Sequence, residues 1–345
     1  MRQIVTGVFM YLSLMPAQAQ PGRERAREIL QKHAATEYEI LRRYESLPEN
    51  LTRPTKNGGT ITSTAGNDIF MYVNFATESS LLASLDLNIH ELNHALTNAW
   101  FWEWARVNKI AAGTNLNYFF YIKPGTEFAV DTELSLFPSS VLKDVIPPHQ
   151  KTFRFDTYIA GTTSTQGHGL LGLLDEFNSY LHGFKTSMLL RDAFLSSGND
   201  LKGRNYADWL MGAGTSMEAY YEFRFFILEY LLYARVQHPE LYKNIKNEGW
   251  VGKVFNAISE EYYEHIKRWQ YEVTEGYAIY AKKVSIETQS IPGTKIMFGG
   301  SGSFSGFIVL TEDYYRLFDV LQSGRYNILY SELGIKPFRE ACFGK

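Results

Sequence analysis

Residues 77–107 read TESSLLASLDLNIHELNHALTNAWFWEWARV. Leu85, Ile89, Leu92, Leu96 and Trp100 recur every three or four positions, the spacing of one apolar stripe on an α-helix. Thr77 or Ser79 can open that helix, Glu78 suits the positive end of its dipole, and the periodicity runs to about Val107. A helix advances about 100° per residue, so His90 and His94 stand one turn apart and about 40° out of register, on a separate side from the stripe. Glu91 lies about 60° around from His94 by the same geometry. One helix face therefore offers two imidazoles with a carboxylate beside them.

Upstream, residues 22–47 are rich in Arg, Glu, Leu and Ala. Ile29, Ala34 or His33, Ile40, Leu41 and Tyr44 sit at near-helical spacing, which predicts an amphipathic opening helix closed by Pro48. The β-branched and aromatic run of residues 68–75 predicts a strand, as do residues 117–123, 127–136 and 152–159, set apart by Pro124-Gly125, Pro138 and Pro147-Pro148. From Gly169 onward the pattern turns helical, over about 170–196, 205–213, 216–236, 239–246, 250–268 and 270–286. Pro239 suits the first turn of one of these helices. A hairpin of 295–298 with 307–310 and a helix over 312–322 complete the reading. The expected fold is α+β, predominantly helical with a small mixed or antiparallel sheet. An α/β half, residues 20–165, would pack against a mainly helical half, residues 166–345, with a cleft between them.

The chain has 345 residues, enough for a large core, and 15% of them are aromatic. Residues 1–19 have the order of a secretory signal: Arg2, an apolar run from Ile4 to Met15, then Ala17-Gln18-Ala19 as a small-x-small cleavage site. Cleavage after Ala19 and a secreted or periplasmic location are expected. No later run reaches the roughly 20 apolar residues that span a bilayer, so no integral membrane segment is expected after signal removal. A formal net charge of −3 argues against nucleic acid as a partner, because a basic field is what releases counterions from phosphates. Cys342 is the sole cysteine, which excludes a disulfide framework and a cysteine zinc cluster.

His-Glu-x-x-His on a helix is the arrangement by which two imidazoles take a zinc ion while the glutamate stands beside it. Zinc lowers the pKa of a bound water toward about 7 and polarises a carbonyl. Glu91 is then placed to take the water's proton and deliver it to a leaving amine. A catalytic zinc needs a third protein ligand. Leu170, Leu173, Leu174, Phe177 and Leu181 mark the core side of the next long helix after the motif, and Glu176 on it is the leading candidate. Glu275, in Glu-Gly-Tyr-Ala-Ile-Tyr, is the alternative. Asp175 is about 100° from Glu176 on the same helix, so only one of the two can face the metal.

In these two segments, His90 to His94 and Glu176 to Tyr180, the chain resembles the gluzincin metallopeptidases. The resemblance implies a zincin-like active-site helix, zinc (Zn2+) as cofactor, His90, His94 and Glu176 as its ligands, and Glu91 as general base. The stretch from His94 to Glu176 is long for that group and has to hold the β-rich middle. A metzincin pattern is absent, since Ala-Leu-Thr-Asn-Ala-Trp follows His94 without the required glycine and third histidine. His168 and His182 read as loop or helix-end residues, with approach to the site as oxyanion stabilisers the alternative, and Tyr180, one turn beyond Glu176, as packing or as a hydrogen-bond donor to the site.

Glu218, Glu222, Arg224 and Glu229 read as a structural charge network. The glycines at 299, 300, 302 and 306 lack the Gly-Lys-Ser/Thr ending of a phosphate loop. The expected function is an exported zinc-dependent metallopeptidase acting on a peptide or protein substrate. The competing expectation is an exported binding or surface protein whose metal site is structural or vestigial.

Overall fold

The computed structural model describes residues 19–55, 58–64, 68–111, 115–197, 204–276, 279, 288–291, 295–299, 305–309 and 312–338. Two helices, α1 (Ala19–His33) and α2 (Ala35–Glu45), open the described chain, followed by a hairpin of β1 (Asn50–Pro54) and β2 (Thr60–Thr64). The single opening helix expected over 22–47 is thus divided at Ala34, whose φ of −132° leaves the helical region. Residues 1–18, which hold most of the expected signal, and Cys342 lie outside the described residues, as does most of the helix expected over 270–286.

Residues 68–75, expected as a strand, form turns instead. Only Phe70 of that run is buried, while Met71 and Tyr72 face solvent. Its polar groups bind helix α3 (Glu78–Val107) rather than a second strand: Asn88 Nδ2 donates to the Ile69 carbonyl and the Asn74 amide donates to Ser84 Oγ. Helix α3 begins as its sequence predicts, with Thr77 extended (φ −144°, ψ 163°) and its Oγ1 accepting from the Ser80 amide at 3.0 Å.

Strands β3 (Leu116–Lys123) and β4 (Thr126–Thr132) form an antiparallel hairpin across Pro124-Gly125, in register from Leu116 opposite Thr132 to Tyr121 opposite Glu127. The strand expected over 152–159 is instead a short helix, α4 (Phe155–Tyr158), and α5 (Ser164–Gly167) follows. Then come α6 (Gly169–Leu189), α7 (Arg191–Ser196), α8 (Arg204–Gln237), α9 (Pro239–Glu248) and α10 (Trp250–Tyr271). Helix α8 runs unbroken where two helices were expected over 205–236, with Gly212 and Gly214 inside it. The chain ends in an antiparallel meander of β5 (Thr288–Ile291), β6 (Lys295–Gly299) and β7 (Ser305–Val309), then α11 (Glu312–Gln322) and α12 (Asn327–Leu333). The fold is α+β and predominantly helical, with small antiparallel sheets. No helix among the described residues is long and apolar enough to cross a membrane.

The apolar interior forms two clusters, and β3 lies on the seam. Successive strand side chains point to opposite faces, so Tyr118, Phe120 and Ile122 join the cluster of α6, α8 and α10, while Phe119 and Tyr121 join that of α1, α2 and α3. Strand β3 therefore contributes side chains to both clusters. Helix α6 is buried almost all round, every residue except Tyr180 and Leu189, because α3 packs on one side of it and α8 on the other. Gly183 permits the α3 approach: a Cβ there would stand 3.2 Å from the Asp86 carbonyl oxygen and 3.5 Å from His90 Cβ.

Candidate metal centre

Where α3 crosses α6, His90, His94 and Glu176 converge, with one ligand atom from each lying within 4.8 Å of the others. The two Nε2 atoms are 3.1 Å apart, and Glu176 Oε2 lies 3.2 Å from His94 Nε2 and 3.7 Å from His90 Nε2. His90 and Glu176 are buried, at 7% and 5% exposure. Two helices set this geometry. The one-turn spacing on α3 brings the imidazoles together, and the apolar stripe of α6, with Leu170, Leu173, Leu174, Phe177 and Leu181 all buried, fixes the face on which Glu176 emerges.

The donor set fits a divalent cation. Glu176 Oε2 is buried and makes no hydrogen bond, its approach to His94 being an ion-pair distance without hydrogen-bond alignment. A buried carboxylate oxygen that faces two imidazole nitrogens and makes no hydrogen bond is a polar group short of a partner. Two nitrogens and one oxygen form a set that zinc accepts, with one position left for water or substrate.

Asp175 has a role that the sequence reading did not give it. It points away from the nitrogen and oxygen cluster, and its Oδ2 lies 2.7 Å from His94 Nδ1, the far side of the ring. Ser179 Oγ stands 3.1 Å from the same nitrogen and accepts a hydrogen bond of 2.8 Å from Asn93 Nδ2. An imidazole that donates Nδ1–H to a carboxylate presents Nε2 to a metal and is made more basic by it. Asp175 and Ser179, four residues apart, share a face of α6, but nothing local in the sequence marks that face as the one that meets His94.

The electrostatics follow from this layout. Burial works against charge on His94, yet Asp175 and then Glu176 hold its pKa well above the ordinary histidine value. Burial pushes His90 well below it, with His94, Arg154 and His182 nearby adding to the effect. Glu91, half-buried on the same helix, has its carboxyl raised by burial; His94 opposes the rise, and Glu176 and Asp175 reinforce it.

Aromatic residues wall the site. Tyr180 meets His90 edge-on with ring centroids 4.5 Å apart, and its hydroxyl lies 3.0 Å from that of Tyr158. The Arg154 guanidinium sits 4.6 Å from the Tyr180 ring centroid and is itself buried against Glu222, whose Oε1 also accepts from the Arg154 amide at 2.9 Å. This pair is what turns residues 152–159 away from a strand. Tyr118 hydrogen-bonds to Nδ1 of His168 at the start of α6, and its hydroxyl pKa is raised by burial and by Asp175 and Glu176. His182 is not at a helix end. It is fully buried in mid-helix, with Nδ1 2.6 Å from Glu37 Oε2 and Nε2 2.7 Å from the Tyr121 carbonyl oxygen.

The alternative third ligand, Glu275, is exposed on the turn Glu272–Gly276 and is not part of the group. Of the charges expected as a network on α8, Glu222 pairs with Arg154 and Glu229 with Arg325. Arg224 joins no such pair among the described residues. Comparison with family models, with characterised proteins and with solved structures yields no match.

Proposed function

We propose that the chain is an exported zinc metallopeptidase that hydrolyses peptide bonds, with His90, His94 and Glu176 holding the ion and Glu91 acting as general base. The observation that supports this reading is the convergence of those three side chains around an unpartnered carboxylate oxygen, with Glu91 one position along the same helix. Zinc held there would supply Lewis acidity toward a carbonyl oxygen and a water acidic enough to react near neutral pH.

The protein's own groups do the rest. Asp175 and Ser179 hold the His94 ring by Nδ1, which keeps Nε2 aimed at the site. Tyr180 fixes His90 from the side, and the buried Arg154–Glu222 pair fixes Tyr180 in turn. The Glu91 carboxylate accepts a proton from the attacking water and returns it to the departing amine nitrogen, a role favoured by its upward-shifted pKa.

Metal analysis of the purified protein beside its variants tests the proposal. Stoichiometric zinc is expected in the wild type and in Glu275→Ala, and its loss in Glu176→Ala. Glu91→Gln should keep zinc and lose turnover on a peptide library. A zinc-loaded wild type that cleaves no peptide would favour the binding-protein reading, and a chain that takes up no metal would overturn the proposal.

A further inference from the structure

A second feature of the structure is a cavity that shares no lining residue with the metal centre. It has a volume of about 480 Å³ and opens between the β3–β4 turn, α8, α10 and the segment after α12. That is within the range of small-molecule pockets. Arg224 lines it and is only 2% exposed.

The charges around this cavity are paired except at Arg224. Glu261 is met by Lys123 Nζ at 2.7 Å and by Lys185 Nζ at 3.0 Å, Glu264 by Lys267 Nζ at 2.7 Å, and Glu260 by Lys336. Among the described residues no carboxylate lies within ion-pairing distance of Arg224. Its Nη1 donates to Ser259 Oγ at 2.9 Å and its Nη2 to the Lys336 carbonyl at 2.6 Å, while Nε makes no hydrogen bond. The Phe255 ring, 4.8 Å from the guanidinium carbon, offers a cation–π contact without neutralising the charge. A buried guanidinium without an anion is costly, and an anionic ligand relieves that cost.

The rim limits which anion fits. Glu260 and Glu264 have side chains 52% and 64% exposed, held by lysines in exposed ion pairs that exchange partners at little cost. Glu260 and Glu264 at the mouth offer acceptors to an ammonium group, and Lys123 and Lys336 beside them leave the rim with both signs of charge, which suits a zwitterion better than a dianion. Tyr263 and Pro337 add apolar wall.

We propose that this cavity binds a free amino acid with an apolar side chain, its carboxylate directed to Arg224 and its ammonium to Glu260 and Glu264.

Calorimetric titration with phenylalanine, phenylalanine amide and N-acetylphenylalanine tests this. Saturable binding of phenylalanine is expected. Blocking the carboxylate should weaken it at least about tenfold, the scale of a lost charged hydrogen bond, and blocking the amine should weaken it less. Arg224→Gln should reproduce the first loss. Surface substitution of both Glu260→Gln and Glu264→Gln, which leaves the core untouched, should weaken phenylalanine while sparing N-acetylphenylalanine, and decides the question if Arg224→Gln does not fold. Absence of saturable phenylalanine binding, or amide binding equal to that of the acid, would overturn the proposal. So would binding that survives Arg224→Gln but disappears in Glu176→Ala, since it would place the ligand at the metal centre.

Discussion

At the scale of single residues, the orientation of one ring is the point on which the metal centre turns. His94 can present Nε2 to an ion only while something holds Nδ1, and Asp175 Oδ2 does so at 2.7 Å. Asp175→Asn keeps the shape and removes the charge. We expect zinc affinity, measured by chelator competition, to fall about ten- to a hundredfold, the usual consequence of losing an outer-shell carboxylate. Unchanged affinity would show that the ring needs no such support. Arg154 and Glu222 pose a different problem, because both are buried and each neutralises the other. Arg154→Met alone should cost about 3–5 kcal/mol of unfolding free energy by stranding Glu222, whereas the double change Arg154→Met with Glu222→Leu should recover most of that loss. Urea denaturation of the three proteins checks it, and equal losses in single and double variants would contradict the pairing argument.

Among the elements, α2 and α6 are joined by a buried charge cluster. Glu37 of α2 is fully buried, with Lys185 Nζ 3.0 Å from Oε1 and His182 Nδ1 2.6 Å from Oε2, and the Tyr121 carbonyl lies on the far side of that imidazole. Lys185 continues to Glu261 of α10, which Lys123 and His265 also face. Burial alone would raise the Glu37 carboxyl, but Lys185 and His182 prevail and hold it at about 2, against an ordinary 4.5. A depressed folded-state pKa contributes stability above the unfolded value and loses it as pH falls through the folded one. This contribution is therefore full above about pH 4.5 and lost toward pH 2, with a magnitude on the order of 3 kcal/mol. Glu37→Gln should be less stable than the wild type at pH 7, and the gap should narrow as denaturation is repeated toward pH 3; a constant gap would refute the linkage. Such clusters explain what the sequence could and could not disclose. Helix α3 was legible from Thr77 to Val107 because its stripe, cap and length are local, and the convergence of His90 and His94 follows from one turn of that helix. Residues 68–75 and 152–159 carry strand-forming side chains, yet the partners that shape them, Asn88 in one case and Glu222 in the other, are 19 and 68 positions away. Asp175 was visible as a residue, but its meeting with His94 is a tertiary contact that periodicity does not encode.

Over the whole molecule, the two apolar clusters meet at β3 and at the crossing of α3 with α6. His90 and His94 belong to α3, which packs into the cluster it forms with α1 and α2, and Glu176 to α6, at the centre of the cluster with α8 and α10. An ion bound by all three would join the two clusters and is absent from the unfolded chain's ordered contacts, so its binding free energy adds to folding. Zinc at about a thousand times its dissociation constant should contribute about 4 kcal/mol. For a chain of this size that is a rise of several degrees in melting temperature. Calorimetry with and without added zinc, after chelator treatment, reads this directly. The upward shift should persist in Glu275→Ala and in Glu91→Gln, and vanish in Glu176→Ala. An equal shift in Glu176→Ala would mean that the ion sits elsewhere, because removing that carboxylate takes away the donor that α6 supplies to the group while leaving both histidines on α3.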